Sequence, residues 1–119
     1  MKSLGDDFER RAADWLRCQG LHIVQRNFRA RTGEIDIIAR DGAQLVFVEV
    51  RARSHPHYAG AAASVTRRKQ RRLLDTAALY LQSRPHLASC PCRFDVIAFE
   101  PRQSAVGARI RWIRRAFTA

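Results

Sequence analysis

A chain of 119 residues with 46 % hydrophobic content has the size and composition of one globular domain, 1–119, and not those of a disordered or collagen-like chain. Its 22 Lys and Arg against 11 Asp and Glu give a net charge of +11 and a pI near 11.3, which predicts a polyanionic partner, most simply nucleic acid. No long apolar span or compact basic-plus-aromatic amphipathic segment favours a membrane, Met1–Arg10 has no apolar leader core, and three cysteines make no even disulfide framework, so a reducing cytoplasm is expected.

Residues 5–19 read as a helix. Phe8, Ala12, Trp15 and Leu16 form its apolar stripe, Asp6 and Asp7 suit its start, and Gly20 suits its end. Glu9 lies beside that stripe, where a solvated edge residue is the ordinary expectation. Leu21–Arg29 reads as the first strand. Its charged end, Arg26, Arg29 and Arg31, serves equally as a phosphate contact or as protection of an edge strand.

Gly33–Arg53 reads as a β-hairpin with arms Glu34–Arg40 and Leu45–Ala52 and the turn signal Asp41-Gly42 between them. Arms this apolar predict strands covered on both faces. Glu34, Asp36, Glu49 and Arg51 interrupt them, and charges there are costly unless paired or bound to a metal. A two-residue Asp41-Gly42 turn sets Asp36 opposite Phe47, with Glu49 its diagonal neighbour; a four-residue loop sets Asp36 directly opposite Glu49. Either way the two carboxylates share a face with Arg51, because side chains alternate with period two. The pattern supports two readings equally: carboxylates holding a hard cation such as Mg²⁺ for phosphodiester hydrolysis, or an ion-paired strand.

Ser54–Gly60 reads as a loop, and its His55 and His57 are read as polar loop residues in the absence of further ligands. Val65–Gln82 reads as the longest helix, with a buried stripe of Leu73, Leu74, Ala77, Ala78 and Leu81 and a cap at Ser64 or Thr66. Its start, Arg67-Arg68-Lys69-Gln70-Arg71-Arg72, places five cations in six positions. These oppose the helix dipole, a cost that points to nucleic-acid binding, although a solvated face has the same composition. Lys69 stands at the edge of the buried stripe and is expected to point toward the sheet.

Ser83–Cys92 reads as a loop, with Cys90-Pro91-Cys92 structural and not a zinc site. Arg93–Phe99 and Ala108–Ile113 read as strands, and Asp95 is expected to pair with an arginine. The order α-β-β-β-α-β-β predicts an α/β domain with a mixed central sheet of about five strands flanked by helices.

FERRAADWLRCQGLHIVQRNFR, GEIDIIA, LVFVEVRAR, the basic helix around Lys69, RFDVIAF and RRAF cover nearly the whole chain in order. In them the chain resembles the YraN family of bacterial proteins and, through Asp36 and Glu49-Val50-Arg51, the PD-(D/E)xK nuclease superfamily, including archaeal Holliday-junction resolvases. The resemblance implies a restriction-endonuclease-like fold and a Mg²⁺- or Mn²⁺-dependent endonuclease acting on branched DNA. It implies that Asp36 and Glu49 hold the metal, and that Glu9, on the first helix, approaches it. Glu49 or Glu9 would orient water, and Arg67, Arg68, Arg71 and Arg72 would bind the DNA backbone. A homodimer is expected by analogy with the resolvases.

Arg51 replaces the family's lysine and keeps its charge without its capacity to lose a proton. Lys69 is then either the substitute that reaches the acidic pair or one more phosphate contact. Two alternatives to a nuclease follow: a non-catalytic nucleic-acid-binding protein, and an adaptor whose basic face binds an acidic protein.

Overall fold

The computed structural model describes residues 4–52, 65–101 and 108–118; the expected loop with His55 and His57 lies outside them. The elements are α1 (Leu4–Cys18), β1 (His22–Ala30), β2 (Gly33–Asp41), β3 (Gln44–Ala52), α2 (Arg67–Gln82), β4 (Cys92–Pro101) and β5 (Ala108–Phe117), with one 3₁₀ turn at Pro85–Leu87. They form an α/β fold around a five-stranded sheet in the order β1-β2-β3-β4-β5. Neighbours are antiparallel except β3 and β4, which run parallel. A parallel pair needs a crossover, and α2 lies within it.

The helices cover opposite faces. Ala12, Ala13 and Leu16 of α1 pack on Ile37, Ala39, Val46, Val48, Ile97 and Phe99. Leu73, Ala77 and Tyr80 of α2 pack on Ile38, Leu45, Phe47, Phe94, Val96 and Ala98. The continuous apolar run in β3 follows directly, since both of its faces are covered.

Four details differ from the sequence reading. The hairpin loop is Gly42-Ala43 rather than Asp41-Gly42, because Asp41 pairs with Gln44 in the ladder. Gly42 takes the left-handed backbone there, φ +61°, and the Asp41 carboxylate is held by Arg93 at 3.0 Å. In α2, Thr76 is buried and Ala78 exposed; Thr76 satisfies its hydroxyl against Arg72 O at 2.7 Å and Thr32 Oγ1 at 2.6 Å, which makes burial tolerable. The loop after α2 closes a 3₁₀ turn on Pro85. Strand β5 continues past Ile113 to Phe117, with a bulge marked by Arg115 at φ +51°.

That bulge supports a buried ionic knot. Asp95, 0 % exposed, accepts from Arg93 Nε at 3.1 Å, Trp112 Nε1 at 2.9 Å and the Arg115 backbone N–H at 3.0 Å. Arg93, 8 % exposed, also reaches Asp41 and Gln44, so the knot ties β4 to β5 and to the β2–β3 turn. Asp95→Ala would leave the buried Arg93 guanidinium with only the more exposed Asp41 carboxylate as counter-charge. It should lower stability by about 3–5 kcal/mol in urea unfolding, the scale for breaking a buried pair from one side; a loss below about 1 kcal/mol would show that the knot is not a structural tie.

Candidate functional site

The alternation of β2 breaks at Asp36. Ile35 belongs to the core under α2, whereas Ile37 belongs to the core under α1. Two residues that should share a face lie on opposite ones. Across the ladder, Asn27 stands between Arg26 and Phe28, the partners of Ile37 and Ile35, and has a left-handed backbone at φ +57°. Asparagine is among the few residues that accept it readily. Asp36 therefore sits where the strand passes from one layer to the other, and acidic side chains from both layers reach it.

From the α1 side comes Glu9. Its carboxylate and those of Glu34 and Asp36 bring one oxygen each within 4.8 Å of one another. With its amide nitrogen turned toward the carboxylates, Asn27 donates to Glu34 Oε1 at 3.0 Å and to Glu9 Oε1 at 2.5 Å. Arg29 also binds Glu34, at 3.2 Å on the outside of the sheet.

From the α2 side comes Glu49, on β3 and 4 % exposed. The register Ile37↔Val48, carried one step further, sets Asp36 against Glu49, and their carboxyls share a hydrogen bond. Asp36 Oδ2 also accepts from the Val50 N–H at 2.8 Å. Glu49 Oε2 lies 2.5 Å from Lys69 Nζ and 3.6 Å from Arg51 Nη1. Neither cation meets it at a hydrogen-bonding angle; the contacts are ion pairs, and Coulomb attraction has no angular requirement.

Helix α2 delivers Lys69 because the helix is fixed at two points. Thr66 caps it, accepting from the Lys69 N–H at 3.2 Å, and one turn beyond Arg72 the Thr76–Thr32 contact pins the helix to the β1–β2 turn. Gly33 opens β2 beside that turn at φ +148°, where any Cβ would also face Thr76 Oγ1 at 3.5 Å. Between helix and strands opens a pocket of about 270 Å³ lined by Glu34, Asp36, Glu49, Lys69, Arg72 and Leu73, with Gly33 at its rim.

The predicted residues Asp36, Glu49, Arg51 and Lys69 thus meet, and Glu9 joins them through Asp36. Of the four arginines assigned to phosphate binding, Arg72 lines this pocket, Arg68 is exposed, and Arg67 and Arg71 line a separate groove. Glu34 and Asn27 were not anticipated as site residues. Glu34 carried a signal, being one of the charges in an apolar arm and two residues from Asp36. Asn27 carried only its tolerance of a left-handed backbone.

Asp36 is the electrostatic centre. Burial, then the hydrogen bond and the charge of Glu49, push its carboxyl from 3.8 up to about 9, with the Val50 N–H opposing and Glu9 adding a smaller push. At neutral pH the Asp36–Glu49 pair accordingly holds a proton.

Comparison with known proteins places the chain among close relatives. The model of the uncharacterised protein family UPF0102 matches residues 8–99. A UPF0102 protein of Alcanivorax borkumensis is 51 % identical over 98 % of this chain and 92 % of its own length. One of Methylobacillus flagellatus is 47 % identical over the full length of both, and the UPF0102 protein YraN of Salmonella arizonae is 49 % identical over 98 % of this chain and 85 % of its own.

The Asp36 proton gives the site a pH signature. The folded state keeps a proton that the unfolded chain releases near pH 3.8, so this group's contribution to stability is complete below that pH and is lost as pH rises toward about 9. In metal-free buffer the melting temperature should decline between about pH 5 and about pH 9, and Asp36→Asn, which can still accept from Val50, should flatten the decline and melt higher at the alkaline end. Parallel pH profiles for the two proteins would refute the shared proton.

Proposed function

This chain belongs to the uncharacterised protein family UPF0102, and we propose that it is a divalent-metal-dependent endonuclease of the PD-(D/E)xK type acting on branched or structured DNA. The observation that carries the reading is the meeting of Asp36, Glu49 and Lys69 in one open pocket beside a basic helix. The mixed sheet with a helix on each face is the framework expected of a restriction-endonuclease-like core. The preference for branched DNA, and a homodimer, come from the likeness to archaeal resolvases alone.

The donor set fits Mg²⁺ or Mn²⁺. It is made of carboxylate oxygens, as hard cations require, and the raised pKa of Asp36 comes from its burial and then from the Glu49 carboxylate beside it. Asp36 and Glu49 would hold the ion, with Glu9 and Glu34 beside them. A cation bound there supplies positive charge to the scissile phosphate. The chain's own groups do the rest. Arg51 and Arg72 face the charge that develops on the phosphoryl oxygens. Glu49 or Glu9 orients the attacking water, and Lys69, which lines the pocket, stands in for the lysine that Arg51 replaces. The water oxygen bonds to phosphorus, a P–O ester bond breaks, and the water's proton passes to the protein while the leaving oxygen gains one.

A second reading draws on the same contacts. Lys69 and Arg51 both neutralise Glu49, as in a site retained for structure, and this favours a non-catalytic nucleic-acid-binding protein. Two experiments separate the readings. Calorimetry with Mn²⁺ should show binding that Asp36→Asn abolishes; unchanged heat in that variant sinks the metal site. Single-turnover cleavage should be compared on a four-way junction, a flap, linear duplex and single-stranded DNA. Lys69→Arg should lower the rate by roughly 10²-fold with affinity unchanged, the scale of acid–base assistance. Should the parent fail to cut while Arg51→Lys cuts, Arg51 has silenced the enzyme; should neither cut although both bind DNA, the chain is the non-catalytic binder.

A further inference from the structure

Helix α2 has a second working side. Lys69, Arg72 and Leu73 follow i, i+3, i+4 and line the acidic pocket, whereas Arg67, Arg71 and Leu74 follow i, i+4, i+7 and line a different groove. The latter three line an open groove of about 660 Å³ between α2 and the end of β5, completed by Gln70, Phe117 and the Ala116–Thr118 backbone region. Its volume lies within the range that holds a ligand the size of a nucleotide or larger.

The chemistry of this groove is selective. It presents two guanidinium groups, and none of its described lining residues is acidic. Among the described residues no carboxylate pairs with Arg67 or Arg71, and the first turn of α2 holds no acid. The groove is therefore complementary to a polyanion. Its apolar wall is also specific. Phe47, Phe94 and Phe117 form a stacked column, with centroids 5.3 and 5.0 Å apart and both interplanar angles 25°. Phe117 ends the column at the groove and is only partly buried. Cations spaced one helical turn apart beside the free end of an aromatic stack are what a single nucleic-acid strand uses, with phosphates on the arginines and a base on the ring. A blunt duplex has no unstacked base to offer Phe117.

We propose that the α2–β5 groove binds a single-stranded nucleic-acid segment, Arg67 and Arg71 holding its phosphates and Phe117 stacking with a base. The inference rests on the nuclease reading only for its setting: the ridge of α2, with Arg68 at its crest, would part an unpaired strand in this groove from the phosphate delivered to the acidic pocket. Binding to the groove requires neither metal nor cleavage.

The test is fluorescence anisotropy with labelled oligothymidylate and oligouridylate in the presence of a chelator, with a blunt duplex as comparison. Phe117→Leu should weaken both single strands by at least about fivefold, the lower end of the stacking range, and leave the duplex unchanged. Phe117→Trp, which keeps a stacking face, should retain parent affinity, so a general loss of folding cannot imitate the result. The pair Arg67→Ala and Arg71→Ala should flatten the salt dependence of single-strand binding by about 1.4, two contacts at roughly 0.7 each. Single-strand affinity indifferent to Phe117→Leu, an equal loss on blunt duplex, or an unchanged salt slope would each overturn the proposal. An active nuclease with an indifferent Phe117 refutes the groove alone, whereas groove binding as described in a protein that never cuts refutes the nuclease alone.

Discussion

The contact on which the site depends is the one between the carboxyls of Asp36 and Glu49. Each is set in a strand whose neighbours are fully apolar, and each is largely withdrawn from water. Bringing two acids together in such a place is unfavourable, and three devices offset it: a retained proton, the Val50 N–H, and the Lys69 ammonium laid on Glu49. A divalent cation would do the work of the proton and of part of the ammonium. Crowded, buried charges of this kind occur at functional sites, and structural ion-pair networks produce them as well.

The rest of the architecture keeps that contact in place. α2 must carry its cations at the N-terminal end, against its own dipole, because only there can Lys69 reach β3. The helix compensates through the Thr66 cap and through Thr76, a polar residue buried in an apolar interface for the sake of its bond to Thr32. At the far end of the sheet the Arg93–Asp95 knot is fully neutralised, with Asp95 taking bonds from three directions. The two buried ionic clusters thus differ in kind: in one a single aspartate takes bonds from three directions, and in the other two carboxyls share a hydrogen bond.

Much of this was legible in the sequence, because apolar periodicity is set by burial and the chain's periodicities are strong. The helices, the sheet composition and the convergence of Asp36, Glu49 and Arg51 all follow from counting residues by twos and by threes and fours. What was not legible depends on local departures from regularity. The hairpin loop lies one residue later than its Asp-Gly signal because Arg93, fifty-two residues away, claims Asp41 for the ladder. Glu34 belongs to the site because β2 changes face at Asp36, and nothing in a period of two announces a change of face. Thr76 replaces Ala78 in the buried stripe for a hydrogen bond to a residue that helical spacing cannot see.

The parallel pairing of β3 with β4 also separates the parts of the site by their distance along the chain. Strands β1, β2 and β3 form a meander whose contacts are close in sequence, so its loops close at small entropic cost. The β3–β4 pairing waits for the crossover that contains α2. Glu34, Asp36 and Glu49 all belong to the early meander, whereas Lys69 arrives with the crossover. The helix that covers Glu49 is therefore the one that brings its counter-ion, so cover and charge come from a single element.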